Sequence, residues 1–127
     1  MQFLLDTHTF IWFVNGDQQL PVKVRTAIKD VDNKCFVSIA SIWEIAIKMS
    51  LDRLELKSDF DKIVFFLADN AIEILPISFE HTQQLLKLKY HHRDPFDRII
   101  ISQAITERMT VLTKDEAFEN YSVKTLW

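Results

Sequence analysis

Short apolar runs alternating with stretches of helical periodicity constrain this chain more than any other feature. Runs at residues 2–5, 35–37, 71–75 and 110–113 are too short for helices and read as strands, with a fifth at 123–126. A helix begins after Thr7 and takes in the apolar stretch 10–14. Pro21 suits a first helical position, and Val24, Ala27, Ile28 and Val31 follow at helical spacing. Ser41-Ile-Trp-Glu44 has the form of a capping box, and Ile42, Ile45, Ala46 and Met49 give that helix an inner face. Residues 60–68 read as a helix with Ile63, Val64 and Leu67 inward, and 79–88 as another. Asp94-Pro95-Phe96-Asp97 opens the last, through Glu107, with Asp94 as N-cap and Pro95 at N1. There are no repeats or linkers, so the pattern predicts one α/β domain over residues 1–127. Its mainly parallel sheet of four to five strands is covered by helices on both faces. In such sheets ligands bind beyond the carboxyl ends of the strands.

Composition removes several function classes. Gly16 is the single glycine, and neither a Walker loop nor a dinucleotide fingerprint can be written without more. Cys35 is the single cysteine and sits in an apolar run, so it reads as a buried side chain; no intramolecular disulfide or thiolate metal site is available. No apolar run approaches the roughly 20 residues that cross a bilayer. The start, MQFLLDTH, lacks a basic region and meets an acid at Asp6, which is unlike a signal peptide; the expected address is the cytoplasm. The net charge of −3 argues against a broadly basic nucleic-acid surface. It leaves room for a site that recruits cations.

The acids fall where the strand-end rule puts ligands. Asp6 follows the first strand directly, Glu44 lies on the first turn of the helix after the second, and Asp115 stands two residues past the fourth. Asp97 is on the first turn of the helix leading into that fourth strand. Like charges packed together destabilise a fold unless something binds them. A divalent cation is the simplest remedy, and all-oxygen ligands favour Mg²⁺ or Mn²⁺ over zinc. Each acid also has a purely structural reading. Asp6 suits an N-cap, Glu44 closes a box with Ser41, and Asp115 suits a turn. Asp97 falls at N3, where the helix dipole favours an anion and keeps it ionised. Glu116 pairs with Thr113 in another possible box and reads as structural.

Four segments now carry a likeness. LLDTHTFIW at 4–12, SIASIWEIAIK at 38–48, HRDPFDRIIISQA at 92–104 and LTKDEAFENY at 112–121 resemble, in order, the four motif blocks of VapC-like PIN-domain toxins. The blocks span nearly the whole chain, and the DPFDR motif is intact. The resemblance implies a three-layer α/β/α sandwich and Mg²⁺- or Mn²⁺-dependent cleavage of RNA. It also implies a VapB-like antitoxin and a homodimer. By motif, Asp6, Glu44, Asp97 and Asp115 match the four catalytic, metal-binding acids, with Asp115 at the family's most variable position. Asp94 belongs to the third block as a possible addition. Asp6 and Asp97 are expected to hold the principal metal, Glu44 to position metal or water, and Asp115 to complete that site or hold a second ion.

Other groups fall around these. Thr7 and Thr113 flank the acids and could orient them or serve as strand-end hydroxyls. Lys87, Lys89, Arg93 and Arg98 could meet phosphates or form a solvated charged face. His91 and His92 invite a general-base role, which a metal-activated water makes unnecessary, so they read as turn or surface residues. His8 reads as packing, and Trp12, Phe13 and Trp43 as core rather than RNA-stacking platforms. The resemblance to antitoxin-bound toxins implies a partner surface, and ten Phe and three Trp in so small a chain add a little to that expectation. Phe10, Trp12, Phe13 and the 45–49 helix are therefore candidates for an apolar groove that takes a partner. Two alternatives are a phosphoacceptor signalling domain, with Lys114 as its late lysine, and an inactive PIN-fold binding module. An Asp-x-Asp phosphatase is excluded because residue 8 is His.

Overall fold

Five strands form one wholly parallel sheet in the computed structural model, which describes residues 1–127. They are β1 (Gln2–Leu5), β2 (Lys34–Ser38), β3 (Ile72–Leu75), β4 (Thr110–Leu112) and β5 (Thr125–Leu126), in the order β3-β2-β1-β4-β5. Leu5 at the centre pairs with Val37 on one side and Leu112 on the other. Parallel neighbours need long crossovers, and helices supply them: α1 (Thr7–Asn15), α2 (Val22–Lys29), α3 (Ile39–Ser50), α4 (Ile63–Asp69), α5 (Phe79–Lys87) and α6 (Pro95–Glu107).

The period-2 alternation of the strands divides the interior into two cores. Phe3, Leu5, Cys35, Val37 and Leu112 face one side and pack with Phe10, Phe13, Val24, Ile28, Ile45, Ile63 and Leu67 from α1 to α4. Leu4 and Val111 face the other and pack with Ile100, Ile101 and Ala104 of α6 and with Phe118. This is the three-layer α/β/α sandwich expected. Gly16 ends α1 in the left-handed conformation at φ 62°, where its N–H closes onto Phe13 O and Trp12 O.

Several local expectations are corrected. Helix α2 starts one residue after Pro21 and stops at Lys29, leaving Val31 95% exposed beyond it. Helix α3 starts earlier than the Ser41 box implies. Ser38 caps it, accepting from Ala40 N at 3.0 Å, so Ser41 lies inside the first turn and Glu44 in the second. Val64 points to solvent, because a 3-10 turn at Phe60–Lys62 sets the phase of α4 so that Ile63 and Leu67 face in. A capping box does form at α5, where Ser78 and His81 exchange hydrogen bonds. Glu116 makes none with Thr113, because Asp115 caps the 3-10 turn Glu116–Asn120. Phe10, Phe13 and Ile45 are core rather than groove lining, while Trp43 is 60% exposed with its ring against Phe96.

Candidate active site

The chain runs β1, β2, β3 outward on one side of β1, then returns to β4 on the other. That reversal opens a crevice at the carboxyl ends of β1 and β4. Asp6 stands at its floor. The residue is 4% exposed and caps α1, Oδ1 accepting from Thr9 N at 2.8 Å. Its Oδ2 accepts from the Thr113 hydroxyl just past β4. Thr113 Oγ1 in turn accepts from Asp115 N at 3.0 Å, and Thr9 Oγ1 donates to Leu112 O at 2.7 Å. Thr9 was not singled out from sequence, although its N3 position relative to a capping Asp6 is a legible signal. Thr7 does not bond an acid; it donates to Ser41 Oγ at 2.9 Å and ties α1 to α3.

Glu44 enters from α3, buried, and meets Lys48 Nζ at 3.0 Å one turn on. Lys48 was also missed, though the i,i+4 spacing is plain. Asp94 caps α6, Oδ1 accepting from Phe96 N at 2.9 Å and Asp97 N at 3.2 Å. Asp115 caps its own 3-10 turn through Ala117 N at 2.9 Å and is exposed.

Asp97 registers all of these neighbours. Burial, and then the negative charges of Asp94, Asp6, Glu44 and Asp115, push its carboxyl up from 3.8 to about 7. The helix dipole at N3 favours the anion, yet burial and four like charges outweigh it, which corrects the expectation of a firmly ionised Asp97. Burial also raises Asp6, against the pull of its Thr113 and Thr9 hydrogen bonds. In kind, these oxygens suit a hard divalent cation. No trio of His, Cys, Asp or Glu is already closed around one point.

An open cleft of about 600 Å³ reaches two of these acids, Asp6 and Asp115, and is lined besides by His8, Trp12, Gln19, Lys114 and Glu116. A cleft of about 400 Å³ around Met1, Arg108 and Lys124 holds no carboxylate and lies at the opposite strand ends. Lys87 and Lys89 line a further surface cleft with His91, and Arg93 is exposed. Arg98 is corrected as a phosphate contact. It is buried, its guanidinium donating to Leu88 O at 3.4 Å and Lys89 O at 3.0 Å and lying 4.4 Å from the Tyr90 ring centre. His92, read as a turn residue, stands with Nε2 3.5 Å from Asp97 Oδ2.

The PIN domain family model matches residues 3–124. No characterised protein sequence gives a significant match. Among solved structures, a chain of VapBC2 from Rickettsia felis, bound to a DNA fragment from its promoter, superposes with a TM-score of 0.74 at 19% identity, over 99% of this chain and 98% of that one. A chain of FitAcB from Neisseria gonorrhoeae gives 0.67 at 17% identity, over 98% and 96%. A chain of VapBC-1 from nontypeable Haemophilus influenzae gives 0.69 at 12% identity, over 99% and 97%. At these identities the likeness is one of fold, and the family match covers nearly the whole sequence: the chain belongs to the PIN-domain family.

Proposed function

We propose that this protein is a divalent-metal-dependent endoribonuclease and the toxin of a toxin–antitoxin pair. The observation that carries the reading is the gathering of Asp94, Asp6, Glu44 and Asp115 around a single carboxylate, Asp97, at the sheet's switch point in a PIN domain. Asp6 and Asp97 would hold Mg²⁺ or Mn²⁺, Glu44 would position the ion or its water, and Asp115 would complete the shell. When bound, the ion supplies Lewis-acid polarisation of the phosphodiester and of the attacking water. The chain's own part is orientation: Thr113 and Thr9 N hold both oxygens of Asp6, and Lys48 balances Glu44. Lys87, Lys89 and Arg93 are free to meet phosphates along an RNA strand.

The fold matches come from VapBC and FitAB assemblies, which supports a VapB-like antitoxin as partner. Val64 and Phe65 stand exposed on α4, apolar surface of the kind that small proteins keep for an antitoxin or a second protomer. No helix is long and apolar enough to cross a membrane. The phosphoacceptor alternative loses ground on topology, since such domains use the order 2-1-3-4-5 rather than β3-β2-β1-β4-β5.

The test is purified protein on structured and single-stranded RNA with Mg²⁺, Mn²⁺ or EDTA. Cleavage is expected only with metal, and cleavage undiminished by EDTA overturns the mechanism. For the toxin role, wild type and Asp6→Asn are expressed with and without the neighbouring reading frame. Growth arrest is expected for wild type alone, and equal growth in all four strains with active enzyme in the extract points to a housekeeping nuclease.

A further inference from the structure

We infer that His92 is a positioning residue for Asp97, donating from Nε2 to Asp97 Oδ2 in a tautomer that Tyr121 imposes. The inference rests on the ribonuclease reading for its purpose but not for its geometry.

The argument starts at the Tyr121 hydroxyl, on a residue buried just past the 3-10 turn Glu116–Asn120. Three N–H groups approach its oxygen: the backbone of His91 and of His92, each at 3.2 Å, and Arg98 Nη1 at 3.4 Å. None of these can accept, and together they use up the two lone pairs of the oxygen. The hydroxyl hydrogen must therefore go to the remaining neighbour, His92 Nδ1 at 2.8 Å. A neutral imidazole has one donor and one acceptor. With Nδ1 accepting, the ring hydrogen sits on Nε2.

Nε2 is buried and has no hydrogen-bond partner, and the atom across from it is Asp97 Oδ2 at 3.5 Å. Closure by about half an ångström makes an ordinary hydrogen bond. Asp97 has need of one. Asp6 receives hydrogen bonds on both oxygens, whereas no other group donates to the Asp97 carboxylate. A donor on Oδ2 fixes the rotation of that carboxylate and leaves Oδ1 without a hydrogen-bond partner. The ring itself is held by Tyr121, with centroids 5.5 Å apart, and by Phe118 at 6.4 Å. The arrangement is the one by which groups behind a metal ligand set its direction, and losing such a group typically costs 10–100-fold in metal affinity.

The test uses the full chain. Ring ¹H–¹⁵N correlation spectra of the wild type, recorded where His92 is neutral, are expected to show the hydrogen on Nε2. Tyr121→Phe, which keeps the packing and removes the hydroxyl, is expected to lose that preference. Direct Mn²⁺ titration is expected to show binding weakened about 10-fold or more in His92→Ala. His92→Gln, which restores an N–H donor, should recover most of that loss, with similar melting temperatures for both. Hydrogen on Nδ1 in the wild type overturns the inference whatever the RNA assay gives. So does His92→Ala binding Mn²⁺ as tightly as wild type, an outcome that leaves the ribonuclease reading standing if RNA is still cut.

Discussion

Thr113 donates its hydroxyl to Asp6 across 107 residues of sequence, joining the ends of the neighbouring strands β1 and β4. The same oxygen accepts from Asp115 N, so one hydroxyl sets both a buried and an exposed acid. Thr113→Val should lower turnover about 10–100-fold, the usual effect of removing a group behind a metal ligand. It should also cost about 1 kcal/mol of stability, because a buried carboxylate loses a donor. Thr113→Ser should keep most of both. Turnover and melting temperature of the two variants check this, and a fully active Thr113→Val would remove the residue from the site's machinery.

Asp97 predicts a pH dependence whose sign follows from its raised carboxyl. An ordinary aspartate titrates at 3.8, and this one at about 7 when folded. Between those values the unfolded chain releases a proton that the folded chain keeps, so stability from this group is full below 3.8 and lost as pH rises to about 7. Asp97→Asn should therefore melt higher than wild type at pH 8, with the advantage shrinking toward pH 5. Mn²⁺ should raise the wild-type melting temperature more at pH 8 than at pH 5.5 and should do little for Asp97→Asn. Melting curves across that range decide it. Wild type that is more stable at pH 8 than at pH 5 would contradict the crowding of acids around Asp97.

The two acids of the DPFDR block should separate cleanly. Asp94 serves the backbone, accepting from Phe96 N and Asp97 N, and Asn caps a helix about as well as Asp. Asp94→Asn should keep its fold and most of its activity. Asp97→Asn should keep its fold and lose RNA cleavage, as should Asp6→Asn. Circular dichroism beside an RNA cleavage assay tests the pair, and the reverse pattern would mean that the roles are exchanged.

The cations divide in the same way. Arg98 is buried against the carbonyls of Leu88 and Lys89, so Arg98→Ala should destabilise by about 1–3 kcal/mol through the acceptors it abandons. Lys87→Ala and Lys89→Ala, at exposed positions, should leave stability within about 0.5 kcal/mol. On an Asp6→Asn background they should weaken RNA binding and flatten its salt dependence. Binding isotherms at several salt concentrations check this; unchanged slopes would show that RNA takes another path.

What the sequence determined by itself was the architecture and the placement of acids at the ends of its elements. Strand and helix periods differ, so alternation in residue pattern translates directly into an α/β sandwich. Asp6, Asp94 and Asp115 sit at element boundaries where cap chemistry is local and legible. Tertiary structure alone decided what each charged group does there. Arg98 looks like a phosphate contact until the turn before α6 folds its carbonyls over it, and Trp43 looks like core until packing leaves it on the outer side of α3 against Phe96. Asp97's raised carboxyl, Thr113's bond to Asp6 and His92's approach to Asp97 depend on distances between segments far apart in the chain, or on the path of a turn. Electrostatic energies fall with separation in space and with burial, neither of which is written in the order of the residues.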